Sequence, residues 1–215
     1  MKNNARESTI KAARARREPG SAATVKRSQV VQKAAELFDA AGYHNTGVAD
    51  IAAAAGISKP TLYHYFAGKD EILFWIHEEY MDELIERQEK RAAISMSPGA
   101  TILELIADML EMTETRPGVR VFHEHLRELR DDQQQLVREK RERYQNMVES
   151  VIRDGVSAGE LRDLDPRLTT LALFGMANWA YQWFRPDGPL RSREIAYFFW
   201  DVLLQGLGNG GEKHP

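Results

Sequence analysis

Between Ser58 and Lys69 the chain reads SKPTLYHYFAGK, a stretch with two kinds of chemistry in it. Leu62 and Phe66 are apolar and one helical turn apart, as anchors on a single face must be. What remains is Ser58, Lys59, Thr61, Tyr63, His64, Tyr65 and Lys69: donors, cations and flat rings, the types that meet phosphates, base edges and thymine methyls. A second cluster, FHEHL at residues 122–126, sets His123 and His125 around Glu124. On a helix, side chains at i and i+2 diverge by about 200°, whereas helical zinc pairs use i and i+4, so no metal is expected there. The chain also lacks a phosphate-cradling glycine loop, a nucleophile elbow and a recognisable pair of carboxylates. No catalytic residue or cofactor is therefore assigned, and an enzyme is not expected.

The elements that must position the first cluster are short. In DIAAAAGISKPTLYHYF two helical pieces meet at Gly56; Ser58 is placed to cap the second, and Pro60 falls in its first turn, where a missing N–H costs little. That is the form of a helix-turn-helix, with Phe38, Ile51, Ile57, Leu62 and Phe66 as its core. A preceding helix starts near Thr24, repeats apolar residues from Val30 to Ala41 and stops at Gly42. Beyond residue 69 the periodicity predicts helices over 70–94, 100–115, 119–129, 133–158, 166–184 and 192–207, broken at SMSPG, RPG, SAGELRDLD and RPDGP. No stretch alternates as a strand does, so the expected fold is all-α with about nine helices. Its parts are a disordered basic arm over 1–22, a helix-turn-helix domain over 23–69 and a larger helical domain over 70–215, to which the family resemblance given below assigns ligand binding and dimerisation.

Charge agrees with a polyanion at one end only. The net charge of −3 divides into +5 through residue 70 and −8 beyond it. With no cysteine there is neither a disulfide nor a thiolate site, which suits a reducing compartment. No apolar run reaches the roughly 18 to 20 residues of a membrane span, and the basic N-terminal segment lacks the apolar core of a secretory signal. The expectation is a cytoplasmic protein without a membrane partner.

The segment GYHNTGVADIAAAAGISKPTLYHYFAGKDEIL resembles the DNA-binding domain of the TetR family of bacterial transcriptional regulators. The resemblance runs from about Lys26 to Leu73 and rests on the joint spacing of Gly42, Thr46, Asp50, Ile51, Gly56, Leu62, Tyr63, Phe66, Lys69 and Leu73. It implies a regulator that binds a double-stranded DNA operator. Lys59, Pro60, Thr61, Tyr63 and His64 would lie at or near base edges, Ser58 beside them, and Tyr65, Lys69 and Thr46 at phosphates. Two residues depart from the family pattern: Gly47 stands where a capping Ser or Thr is usual, and Ala49 where an Arg often touches DNA. The basic residues Arg14, Arg16, Arg17, Lys26 and Arg27 would then carry more of the phosphate attraction.

The resemblance also implies a homodimer through the last two helices, whose sequences LTTLALFGMANWAYQWF and IAYFFWDVLLQGL are apolar nearly all round. The stretch from Leu173 to Leu207, with its NWAYQWFRPDGPL element, is similar to TetR regulators that respond to acyl-CoA thioesters. A small apolar effector is expected in a pocket whose candidates by helical phase include Trp75, Leu103, Met109, Phe122, His125, Tyr144, Met147, Phe174, Asn178 and Trp179. The effector would release the repressor from its operator through FAGKDEIL, which joins the reading helix to the helix after it. Two alternatives stand beside this reading: a TetR-type regulator of an efflux system sensing cationic or aromatic drugs, and an architectural DNA-binding protein without an effector.

Overall fold

A computed structural model describes residues 22–205, and among them are nine α-helices, one short 3₁₀ helix and no strand. The helices are α1 Ala22–Ala41, α2 Val48–Ala54, α3 Lys59–Tyr65, α4 Lys69–Ala93, α5 Pro98–Thr115, α6 Val119–Glu124, α7 Asp131–Ser157, α8 Pro166–Trp183 and α9 Ser192–Gln205, with the 3₁₀ helix at Leu126–Glu128. The basic arm expected over 1–22 lies outside the described residues, apart from Ala22, which opens α1.

Local chemistry sets the boundaries. Ser97 and Asp165 each accept the backbone N–H three residues on, from Ala100 and Leu168, and Pro98 and Pro166 fill the first helical positions. The single helix expected over 119–129 is broken. At His125 the backbone turns to φ −112°, ψ 22°, α6 ends, and the chain tightens into the 3₁₀ turn.

The chain divides into two compact units, with boundaries inside α4 and α7. The first runs through Glu79 and takes in Pro117–Arg138. Its core gathers Val30, Ala34 and Phe38 of α1 with Ile51, Leu62, Phe66, Leu73 and Phe122, all nearly inaccessible. Gly118 shows how closely α6 enters: its φ is +85°, its N–H donates to Asp39 Oδ2 at 2.7 Å, and a Cβ there would stand 2.9 Å from Ala35 Cβ and from Ile76 Cγ2.

The second unit comprises Tyr80–Arg116 and the chain from Glu139 on. In it α9 and α8 pack on α5, whose Leu105, Ile106, Met109, Leu110 and Met112 are buried. Among the described residues no helix is long and apolar enough to cross a membrane.

Candidate nucleic-acid interface

The reading cluster is built on two seven-residue helices. α2 starts at Gly47, which has no side chain to cap with; Asp50 compensates by accepting the Gly47 N–H at 2.8 Å. The turn that follows needs Gly56 in the left-handed region, φ +63°, and Ile57 N–H closes it on Ala52 O at 3.0 Å. α3 is capped by Ser58 Oγ, which accepts Thr61 N–H at 3.2 Å and lies 2.7 Å from the Thr61 hydroxyl. Leu62 and Phe66 plug the helix into the core.

The opposite side of α3 is open. Ser58, Lys59, Pro60, Thr61, Tyr63 and His64 are all exposed, and Tyr65 is half-buried. The Lys59 ammonium lies 6.0 Å from the centre of the Tyr63 ring, and the rings of His64 and Tyr65 meet edge to face at 5.6 Å. A row of donors, one cation and rings therefore stands on a helix fixed from behind.

Thr46 and Lys69 sit differently from the expectation that put them at phosphates. Thr46 is buried, and its hydroxyl donates to Gly42 O at 2.9 Å. The Lys69 ammonium donates to Tyr43 O at 2.6 Å and Thr46 O at 3.1 Å and lies 4.2 Å from the Tyr43 ring centre. Both side chains are thus turned inward, onto the α1–α2 turn. Of the basic residues expected to attract phosphate, Arg14, Arg16 and Arg17 lie outside the described residues. Arg27 is buried with its guanidinium 3.8 Å from the Trp75 ring centre, and Lys26 donates to Ala55 O at 3.4 Å.

The residues chosen for an effector pocket are distributed over both units. Trp75, Phe122 and His125 belong to the first unit, where Trp75 packs under Arg27 and His125 stacks on Tyr43. Leu103, Met109, Tyr144, Met147, Phe174, Asn178 and Trp179 belong to the second. Tyr144 and Phe174 stack there, with ring centres 5.8 Å apart and planes 11° apart. Met147 opens onto a surface depression bordered by Glu142, Arg143 and Asn146. Trp179 is 62% exposed.

Helical phase alone missed a polar cluster in the second unit. Asp108, buried on α5, accepts from Arg87 at 2.8 Å and Arg91 at 2.5 Å. Burial pushes the Tyr144 hydroxyl well above the usual phenol range; the neighbouring Tyr80 and Asp108 push the same way, and Arg91 and Arg87 oppose. Among the described residues, Gln88 Oε1, Arg91 Nη1 and Tyr144 Oη are buried here without a hydrogen-bond partner. The run ILELIADMLEM holds three acids, Glu104, Asp108 and Glu111, and only the fold shows that Asp108 is the buried one, whose charge requires partners.

α8 and α9 also leave an apolar stripe in the open. Leu168, Leu171, Trp179 and Trp183 line one helix, and Tyr197, Phe198 and Leu204 the other. A cavity of about 450 Å³ lined by Ile102, Ile152, Leu161, Leu173 and Trp200 shares Leu168 and Leu204 with that stripe.

Comparison with known proteins places these features in context. Residues 30–75 match the family description "Bacterial regulatory proteins, tetR family", and residues 96–207 match "Tetracyclin repressor-like, C-terminal domain". The chain is 27% identical over 193 residues to the HTH-type transcriptional repressor KstR2 of Mycolicibacterium smegmatis, covering 88% of this chain and 94% of that protein. Among solved structures it is similar to the TetR family transcriptional regulator PfmR of Thermus thermophilus, at 31% identity and a TM-score of 0.78, over 84% of this chain and 99% of that one. It is likewise similar to AibR, solved in complex with isovaleryl coenzyme A and operator DNA, at 26% identity and a TM-score of 0.73, over 83% and 98% of the two chains.

Proposed function

The chain belongs to the TetR family of bacterial regulatory proteins, and from that premise we propose that it is a repressor whose dimer holds a two-fold operator until an acyl-CoA thioester binds. The observation that carries the DNA half is the open face of α3. A helix fits a major groove about 12 Å wide, and Lys59, Thr61, Tyr63 and His64 then reach base edges and neighbouring phosphates. The exposed stripe on α8 and α9 supports pairing through the last two helices, because an apolar surface of that kind is stable in water only when covered.

The effector half is supported by the partnerless polar atoms of the second unit. Arg91 and Tyr144 offer donors to a carbonyl, Gln88 offers an acceptor, and Phe174 stacks on Tyr144, with Leu103, Met109 and Asn178 the other candidates of the same unit. The likeness to AibR, solved with a short-chain acyl-CoA and its operator, favours a thioester.

The test is fluorescence anisotropy on DNA flanking the protein's own gene. Lys59→Ala with Tyr63→Ala weakens operator binding at least tenfold, and unchanged binding refutes the assignment of α3. Isovaleryl-CoA or a longer acyl-CoA releases the DNA whereas coenzyme A alone does not. Release by cationic aromatic drugs only would replace the acyl-CoA with the drug-sensing reading.

A further inference from the structure

One group of side chains that serves neither DNA nor effector has the donor set of a transition-metal site. His44 lies in the turn between α1 and α2, His125 follows α6, and Glu128 ends the 3₁₀ helix. One ligand atom from each lies within 4.8 Å of the other two, although His44 is far in sequence from His125 and Glu128. His44 Nε2 and Glu128 Oε1 are 3.7 Å apart. Ligands bonded to a tetrahedral zinc ion at about 2.0–2.2 Å stand roughly 3.3–3.6 Å from one another, so closure needs about one ångström of side-chain movement. His44 and Glu128 are exposed and free to make it.

The local backbone explains why the group converges. In a 3₁₀ turn the side chains at i and i+3 eclipse, and the Glu128 N–H donates to His125 O at 3.0 Å, so these two side chains rise from one edge. The His125 ring is held by stacking on buried Tyr43, with centres 5.0 Å apart and planes 25° apart, and meets the His44 ring edge to face at 5.1 Å. His123, the other histidine of FHEHL, stacks on Phe122 instead, at 4.2 Å. Glu128 supplies a negative charge beside the two imidazoles. The Lys69 ammonium also senses Glu128, but its donors are spent on the carbonyls of Tyr43 and Thr46.

We propose that His44, His125 and Glu128 bind a divalent transition ion of the zinc class, with water in the fourth position, and that the ion pins the turn leading into α2 to the 3₁₀ segment. Two imidazoles and one carboxylate favour zinc, cobalt or nickel over the all-oxygen shells of magnesium and calcium. The pinned turn carries Thr46 and Gly47, where α2 starts, so occupancy stiffens the support of the reading helix.

The test uses tag-free full-length protein stripped with EDTA. Calorimetric titration with zinc chloride gives saturable binding of one ion per chain, and cobalt(II) gives the visible absorption of a low-symmetry site. His44→Ala and Glu128→Gln, both at exposed positions, each weaken zinc binding at least tenfold, whereas His123→Asn changes it less than twofold. Absence of saturable binding, or full binding by the His44→Ala/Glu128→Gln double variant, overturns the site. Neither DNA nor acyl-CoA enters the measurement, so its failure leaves the operator reading standing, and failure at the operator leaves this one.

Discussion

Lys69→Met separates two roles for one cation. The ammonium donates to Tyr43 O at 2.6 Å and Thr46 O at 3.1 Å and covers the Tyr43 ring at 4.2 Å. A hydrogen bond from a charged group contributes about 1.5–3 kcal/mol, and an exposed cation–π contact about 0.5–1 kcal/mol. One effect reduces the sum: burial lowers the Lys69 pKa, so desolvation offsets part of the gain. Methionine keeps the apolar stem, and the expected net loss is about 1–2 kcal/mol, read as a lower midpoint in urea at unchanged slope. A phosphate contact behaves otherwise: its removal flattens the dependence of log K on log salt by about 0.9 per contact. The inward geometry therefore predicts lost stability with the salt slope of operator binding unchanged. A stability change under about 0.5 kcal/mol together with a flattened slope would refute the clamp and return Lys69 to the DNA backbone.

Three further outcomes follow from the packing. Gly118→Ala places a methyl 2.9 Å from Ala35 Cβ and Ile76 Cγ2 at φ +85°, and thermal unfolding should show a loss of about 2–4 kcal/mol from strain and overpacking together. Asp108→Ala leaves the Arg87 and Arg91 guanidiniums without their shared carboxylate; because Arg87 keeps Glu83 and is partly exposed, the expected loss is about 2–4 kcal/mol, below that for a fully buried pair, and Asp108→Asn loses less. Leu171→Glu with Phe198→Glu puts charges on the exposed stripe, and light scattering after gel filtration should show a dimer become a monomer with its helical circular dichroism intact.

The helices and the reading face were legible because their signals are local. Apolar spacing, Ser58, Gly56 and Pro60 each act within one or two turns, and the structure puts Leu62 and Phe66 inside and Lys59, Tyr63 and His64 outside as the pattern requires. The orientation of Thr46 was not legible, since its burial depends on how the chain from Gly42 curls back on itself. For Lys69 a signal did exist. A cation in the first turn of a helix opposes the helix dipole, so α4 opening on lysine before Asp70 and Glu71 implies that other acceptors hold it. In the group of His44, His125 and Glu128, the last two stand three apart and converge only because the chain tightens into a 3₁₀ turn there, and only the fold brings His44 to them.

α4 carries both halves of the proposed switch. It opens on Lys69, which grips the turn before α2, and Asp70, which pairs with Arg130 in the first unit; further along, past Glu79, it presents Arg87, Gln88 and Arg91 in the second. An effector that meets Arg91 and Gln88 changes operator affinity only by its differential affinity for the DNA-bound and released states, at about 1.4 kcal/mol for each factor of ten. Linkage makes the effect reciprocal: if an acyl-CoA weakens operator binding a hundredfold, saturating operator DNA must weaken acyl-CoA binding a hundredfold. Calorimetry of the acyl-CoA with and without operator measures that factor. Arg91→Met should lower effector affinity in both titrations while leaving operator affinity of the free protein unchanged, because Arg91 is far along the helix from α3 in sequence and pairs with Asp108 of the second unit. Equal acyl-CoA affinities with and without DNA would mean that the ligand occupies the protein without controlling it.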